Sequence, residues 1–429
     1  MSYAPANVVE VVAWGETVGA VALDPASGVG VLEYTPQWRR GNRELSPVLA
    51  PLSAGRVTGS TRALDTFHGL PPLLADVLPD DFGNAIIDAY LTREGIDRST
   101  FTPLDRLVYA GNRAMGALEF RPPSPQPEPP TALSLSRLVG EARAAIRGDL
   151  AKEPSAAVVT LFSVGTSAGG ARAKAVVAIN DAGEIRSGSL PPEPGWTDYV
   201  MKFDGAGTDS GASEGYTRIE YAYHLMASAA GIQVPPARLL EEGGRAHFLS
   251  QRFDRHDGQR VHMQSLCALR GLDFRLRDAH DYAQLLETSD LLGLPPETRT
   301  EILRRAAFNV FAFNRDDHTK NHAFLMDRSG AWSLAPAFDL IFAYAPQSYW
   351  NARHLMAVDG EFAAPTREHL ERLGDAWAVP SIKAALAQVA DAVAQWPDFA
   401  AQAGVDAQRA RVIGDVLTGG PLGDSRPRK

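Results

Sequence analysis

The sequence predicts an α+β protein in two lobes, β-rich towards its N-terminal end and mostly helical in its C-terminal half. Three observations predict it. Residues 8–36 and 158–203 run as short apolar–polar alternations broken by glycines, the pattern of antiparallel strands and turns. From 256 to about 415, apolar side chains instead recur mostly at helical spacing. Residues 122–130, PPSPQPEPP, can sustain neither a helix nor a sheet ladder. They read as an extended polyproline linker and mark a domain boundary.

The chain has 429 residues, 45% of them hydrophobic. It can bury a large core, and at roughly 150 residues per domain two or three domains are expected. The expected divisions are 1–121, the linker 122–130, 131–255, 256–417 and a tail, 418–429, rich in Gly, Pro and charge and expected to fray. A formal net charge of −9 speaks against a broad basic surface for nucleic acid, while leaving room for a local basic groove. Cys267 is the only cysteine, so no internal disulfide can form. No signal peptide opens the sequence, and no apolar run approaches the roughly 18 residues of a membrane span. A soluble cytoplasmic protein without a membrane partner is expected.

Taken in order, residues 8–23 and 29–34 read as short strands with turns. Asp81 or Asn84 can start a helix with Ile86, Ile87, Tyr90 and Leu91 on one face, and the chain returns to a strand near Ala117–Phe120. Gly83, Gly111 and Gly116 mark turns or close backbone approach, with a binding role as the lesser alternative. After the linker, Leu135, Leu138, Val139, Ala142 and Ile146 form the apolar stripe of a helix. Val158–Val164 enters a Gly-rich turn, 165–170 (GTSAGG), and Lys174–Ile179 leaves it as a strand. Asn180–Gly183 is a turn and Tyr199–Phe203 another strand. Ser213 can cap a helix carrying Ile219, Ala222, Tyr223, Met226 and Ala229, with Gly231 just past its end. Residues 237–240 and 246–250 form a hairpin around Glu242, Gly243 and Gly244. Glu301–Phe313 has Ile302, Leu303, Ala306, Ala307, Val310 and Phe311 at helical spacing and delivers a loop, Asn314–Asn321. His322–Met326, the turn Asp327–Gly330 and Ala331–Leu334 then read as a hairpin that leads to Asp339. No repeat period is visible.

The stretch Phe313–Leu340 carries the chemistry. Asp316 is followed five positions later by Asn321, with His318 between them, and Asp339 comes after the hairpin. Such a layout suits phosphoryl transfer: one carboxylate orients or deprotonates an attacking hydroxyl, while an Asn and a second Asp hold magnesium against nucleotide phosphates. That reaction asks for little covalent help, so positioned charge is most of the catalyst. Asp and Asn are common in loops for ordinary reasons; the D-x-H-x-x-N spacing and the later Asp set this loop apart.

Other features are weaker one by one. Gly165 and Gly170 have Walker-loop spacing, but Ala171 stands where that motif needs Lys. The turn is either plain hairpin geometry or a cradle whose backbone amides, those of Gly169 and Gly170 among them, hold phosphates beside Lys174. Lys202 lies among apolar strand residues, where an ammonium is costly unless paired. Either it snorkels from an edge strand, or it meets nucleotide phosphates and pairs with Glu220 on the next helix. Gln251–Arg255 (QRFDR) follows the hairpin, where a hinge between lobes would stack and bond an adenine. A charged loop with one buried Phe is the alternative. Glycine loop, strand lysine, helix glutamate, hinge, Asp/Asn loop and second Asp follow one another in the order of protein kinases, which makes the expected fold protein-kinase-like. His256 and His262 have no partner at metal-ligand spacing, and Trp196, Trp332 and Trp377 read as packing. Thr166 and Ser167 lack a His/Asp relay, which speaks against a hydrolase.

In these residues the sequence resembles the HipA family, the kinase toxins of bacterial type II toxin–antitoxin modules. The resemblance covers nearly the whole chain. LPPLLADVLPDDFGN and LVYAGNRAMGALEF resemble the family's N-terminal region; SAGGARAKA, YVMKF, SQRFDR, NRDDHTKNHAF and APAFDL resemble its kinase motifs in order. It implies a HipA-like bilobal fold, with a HipA N-terminal-like domain over 1–121, an N-lobe-like region over 131–255 and a helical C-lobe over 256–417. By position it implies Asp316 as the catalytic aspartate, Asn321 and Asp339 as the magnesium ligands, Lys202 as the strand lysine, and Gln251 and Phe253 at the hinge. The family's usual first hinge residue is Glu, so Gln251 puts a side-chain contact to the nucleotide in doubt and leaves backbone contacts. Ser167 matches the serine that family members autophosphorylate, with Thr166 the adjacent alternative acceptor. A phosphate there would add about two negative charges and is expected to expel the loop and lower activity. The implied activity is ATP- and magnesium-dependent phosphorylation of a protein on serine or threonine, often of an aminoacyl-tRNA synthetase, with growth arrest. The implied partner is an antitoxin with a helix-turn-helix; none of the chain's own is visible, so DNA contact is expected only through that partner. A small-molecule kinase and a nucleotide-binding pseudokinase acting as a regulatory partner are the alternatives.

Overall fold

The computed structural model describes residues 4–79, 81–121, 132–146, 173–205 and 214–421. The Pro-rich linker, Val158–Val164, the turn that holds Gly165, Thr166, Ser167, Gly169 and Gly170, the cap Ser213 and the tail beyond 421 lie outside the described residues. Helices and sheets together make the chain α+β, as expected. It divides into two compact units. The first comprises Met1–Glu214, Arg238–Gln264 and Leu325–Ala331; the second comprises Gly215–Ala237, Ser265–Phe324 and Trp332–Lys429.

Two five-stranded sheets form the first unit's frame. One holds β1 (Val8–Ala13), β2 (Glu16–Leu23), β3 (Gly30–Tyr34), β4 (Arg56–Thr58) and β5 (Leu118–Arg121) in the order β4-β3-β2-β1-β5. A register shift between Val11 and Val12 lets two neighbouring valines of β1 both be buried, where strict alternation would expose one. β5 follows the helix Pro103–Ala110, whose capping box is made by Thr102 and Asp105.

The second sheet holds β6 (Lys174–Asn180), β7 (Ile185–Ser187), β8 (Trp196–Lys202), β9 (Ala237–Glu242) and β10 (Arg245–Gln251) in the order β7-β6-β8-β10-β9. One face is apolar: Ala175, Val177, Ile179, Met201 and Leu249 are buried with Ile86, Ile87 and Leu91 of the helix Asp81–Glu94 and Leu138, Val139 and Ala142 of the helix Leu135–Ile146. Burial of such aliphatic side chains stabilises by about 1.5–3 kcal/mol each. Strand period two then directs Lys174, Val200, Lys202 and Ser250 to the opposite face.

Past β10 the chain is tied back to the end of the first sheet. Asp254 is fully buried and accepts hydrogen bonds from Arg252 Nε and Nη2 at 2.9 and 2.6 Å, from Arg255 Nη1 at 2.7 Å and from the Gly116 N–H at 2.7 Å. Gly116 has φ +82°, and a Cβ there would lie 2.9 Å from the Met263 nitrogen. Only glycine permits both the left-handed turn and this close approach. The expectation of close backbone approach at this glycine is met.

The second unit is a helical core around Glu297–Phe311, on which Ile302, Leu303, Ala306, Ala307, Val310 and Phe311 are all buried. The helix begins a turn before the expected Glu301. Pro295 and Pro296 preset the backbone for a start there, and the first turn, Glu297–Thr300, is polar enough to hide from a reading based on apolar spacing. The helix Tyr216–Ala229 packs in this unit. Tyr223 sets its ring edge against Phe308 and Trp396 and donates from its hydroxyl to the Ala312 carbonyl at 2.6 Å.

Candidate active site

The loop after helix Glu297–Phe311 turns sharply at Phe313, whose φ is +52°. A bulky residue is uncommon in that region, and its neighbours hold it there. The Ala343 N–H donates to the Phe313 carbonyl at 3.0 Å, the Arg315 N–H to the Ala343 carbonyl at 3.2 Å, and the Asn314 N–H to Asn309 O at 3.0 Å. The two bonds with Ala343 pair the start of the loop with the segment just past Asp339. Residues more than twenty positions apart are thereby joined.

Within the loop the Asn321 Nδ2 donates to the Asp316 carbonyl at 2.8 Å, and Thr319–Asn321 forms a single 3-10 turn. His318 Nε2 lies 3.9 Å from Asp316 Oδ1. Burial lowers the His318 pKa below its ordinary value even though the Asp316 and Asp339 carboxylates both act to raise it, so the ring is neutral at pH 7. Phe338 and Leu340, on either side of Asp339, line a small cavity together with Asn314, Asp317 and Asn321 of the loop. Asp339 has φ +55°, a left-handed conformation that Asp tolerates better than most residues. The expected hairpin is present as Ala323–Met326 and Trp332–Leu334, with Asp327 Oδ1 accepting from the Ser329 and Ala331 N–H groups of the turn.

Beneath Asp316 lies a network that sequence reasoning missed. Asp317 is buried and accepts from Tyr282 OH at 3.0 Å, from His354 Nδ1 at 2.9 Å and from the Leu355 N–H at 2.8 Å. Tyr282 OH in turn accepts from Asn309 Nδ2 at 2.7 Å, and Asn309 Oδ1 from Asn314 Nδ2 at 2.9 Å. Burial acts to raise the Asp317 pKa, but His354 and the hydrogen bonds it receives outweigh that and hold it below the ordinary carboxylate range. The only signal was the Asp316-Asp317 doublet, which does not say which carboxylate faces outward. Asp316 is 40% exposed at its side chain and Asp317 is not exposed at all.

The remaining expected residues fall in two places. Lys174 and Lys202 stand directly opposite each other in the β6–β8 pairing, and so share a face. Gln251, at the end of β10, is opposite Tyr199 and follows the register of Leu249, so its side chain belongs to the other face. Its backbone stays in the strand that carries Phe248 opposite Lys202. Phe253 follows in the same unit and is half-buried, whereas Glu220 is buried on the helix Tyr216–Ala229 of the second unit.

Magnesium fits the second-unit residues. Because Nδ2 of Asn321 is engaged by the Asp316 carbonyl, its Oδ1 is the atom left for a cation. The Asp339 carboxylate is a second hard oxygen donor of the same unit, and these are the ligand types magnesium takes when phosphates and water complete its shell. Among the described residues no cluster of three or more His, Cys, Asp or Glu could hold a metal, and no helix is long and apolar enough to cross a membrane.

The chain resembles known proteins over most of its length. Residues 9–121 match the family model of the HipA N-terminal domain, and residues 166–396 that of the HipA-like C-terminal domain. The chain is 25% identical over 350 residues to a putative kinase, Y4mE, of Sinorhizobium fredii, with 77% of this chain and 76% of that protein covered. It is 23% identical over 386 residues to the serine/threonine-protein kinase toxin HipA of Shewanella oneidensis, with 80% and 77% covered. Among solved structures it is similar to the Shewanella oneidensis complex of HipA, HipB and operator DNA. There the TM-score is 0.67 at 18% identity, over 96% of this chain and 95% of that one, a likeness of fold.

Proposed function

The chain belongs to the HipA family, and from that premise we propose that it is an ATP- and magnesium-dependent serine/threonine protein kinase of the HipA toxin type. The observation that carries the reading is that Asn321 and His318 are held beside Asp316 on one loop, with the residues flanking Asp339 lining the same cavity as Asn321. Asp316 is the base that accepts the acceptor hydroxyl's proton as its oxygen attacks the γ-phosphorus. Asn321 and Asp339 are the residues that would hold magnesium, which when bound neutralises charge on the phosphate oxygens. Neutral His318 stands beside Asp316 as a further contact for the nucleotide.

In the first unit, Lys202 and Lys174 take the phosphates from one sheet face, with the amides of Gly169 and Gly170 as the cradle. Glu220, buried on the helix Tyr216–Ala229 of the second unit, is a further nucleotide-site residue. The adenine stacks at Phe253 and bonds the backbone at Gln251. Ser167, or Thr166 beside it, is the autophosphorylation site and its phosphate the off-switch. The target is a protein serine, for which an aminoacyl-tRNA synthetase is the family's frequent choice, and the outcome is growth arrest in the cytoplasm. A helix-turn-helix antitoxin is the partner, and DNA is reached through it. The HipA of Shewanella oneidensis, seen with HipB and operator DNA, supports this reading.

The test uses γ-labelled ATP and magnesium with the full chain. Label should appear on Ser167 or Thr166, and Asp316→Ala should abolish it. Labelling of Asp316→Ala at the wild-type rate would remove the base from the mechanism.

A further inference from the structure

The Asp316 carboxylate has a partner that the reaction above does not use. Trp350 Nε1–H donates to Asp316 Oδ1 at 2.9 Å. With 40% of the Asp316 side chain exposed, the indole occupies one oxygen and leaves the carboxylate open on its other side. Trp350 reaches the loop from a strap, Ala345–His354, that is itself fixed. Ser348 Oγ accepts the N–H groups of Trp350 and Asn351 at 3.2 Å each, and the Ala345 N–H donates to the Asn351 carbonyl at 3.4 Å. The strap's second half is bonded to the loop at two further points: the Arg315 guanidinium donates to the Ala352 carbonyl, and His354 Nδ1 to Asp317. Three successive residues, Arg315, Asp316 and Asp317, are therefore each bound to the same strap. Packing alone would not need the indole N–H aimed at a charged oxygen. A charge-assisted bond of this kind fixes the carboxylate's rotation, and fixing one oxygen fixes the other.

We propose that Trp350 is a positioning residue of the phosphoryl transfer: its indole holds Oδ1 so that Oδ2 of Asp316 is presented to the acceptor hydroxyl. The hydroxyl proton passes to Oδ2, its oxygen bonds to the γ-phosphorus, and the bond from that phosphorus to the β,γ-bridging oxygen breaks with ADP leaving. This rests on Asp316 as the base, and the experiment separates the two claims.

Single-turnover self-labelling with γ-labelled ATP and magnesium is measured in the full chain and three variants. Trp350→Phe keeps a ring and loses the donor; Trp350→His restores a donor on a smaller ring; Asp316→Asn marks loss of the base. Trp350→Phe should lower the maximal rate about tenfold, the scale set by small misplacement of a reacting group, with the half-saturating ATP concentration unchanged. Trp350→His should return to within about threefold of wild type. Independently, in protein with nitrogen-15-labelled tryptophan, the indole proton signal missing from Trp350→Phe should move upfield in Asp316→Asn, because a neutral acceptor makes the weaker bond. An unmoved signal overturns the proposal whatever the activity. So does a full rate in Trp350→Phe, equal loss in the Phe and His variants, or a loss that tracks ATP concentration. If Asp316→Asn is dead and Trp350→Phe is unimpaired, only the tryptophan's role falls; if Asp316→Asn labels at the wild-type rate, the base assignment falls with it.

Discussion

Asp317 sits one position from the proposed base and has a different task. Its two oxygens satisfy a phenol, an imidazole and a backbone amide, all inside the protein. Replacing it by alanine leaves these three buried groups without an acceptor, and breaking a buried, hydrogen-bonded charge of this kind costs roughly 3–5 kcal/mol. Asp317→Ala should therefore lose on the order of that amount in urea unfolding, and Asp317→Asn, which keeps one acceptor oxygen, should lose less. An Asp317→Ala protein as stable as wild type would show that the network does not hold the loop. The pH sign follows from the depressed pKa. A carboxylate held below its unfolded value stabilises above that value, and the gain is lost as pH falls through the folded one. The contribution is therefore intact at pH 7 and fades only in acid.

At the scale of elements, the joint between β10 and the first sheet depends on Asp254. Burial alone would raise its pKa, but the guanidiniums of Arg252 and Arg255 outweigh that and keep it well below the usual carboxylate range. Asp254→Ala leaves Arg252 buried without its counter-charge and frees the Gly116 amide, so a loss of roughly 3–5 kcal/mol is expected in the unfolding of the first unit. Tryptophan fluorescence or proteolysis within that unit would report it, and an unchanged midpoint would dismiss the clamp. The same segment marks the limit of what could be read beforehand. QRFDR read as a hinge or a charged loop, because its partner Gly116 lies 138 positions away and no local period reports such a pairing. The strands β6, β8 and β10, the hairpin and the helix Glu297–Phe311 were legible because apolar period and turn residues are local signals. Asp316, His318, Asn321 and Asp339 were legible for the same reason, since helix, loop and hairpin follow in one continuous stretch. Tyr282, Trp350 and His354 were not. They meet the loop from 35, 34 and 37 positions away, and a lone Trp or His in sequence reads as packing.

At the scale of the whole molecule, several histidines are held neutral, His262 and His322 buried and His224 half-buried. His224 and His262 have pKa values lowered to about 4 and His322 to about 3, with burial the leading cause of each. The unfolded chain binds protons at these rings near their ordinary value of 6.5 and the folded chain does not. Stability must then fall as pH drops from about 6.5, and the fall from each ring is complete near its folded pKa. His262 isolates the effect. It is fully buried in the first unit, and its Nε2–H donates to the Leu45 carbonyl at 2.9 Å. At pH 5 its unfolded form is almost entirely protonated and its folded form almost entirely neutral, which removes about 2 kcal/mol relative to pH 7. Gln in its place can still donate an N–H and has no proton to gain. Urea unfolding of His262→Gln at pH 7 and pH 5 should therefore show a loss smaller than that of wild type by about 2 kcal/mol. The carboxylates Asp254 and Asp317 do not confuse the comparison, because their depressed pKa values move their losses to lower pH. Equal losses in the two proteins would mean that the His262 ring takes up its proton without leaving the fold.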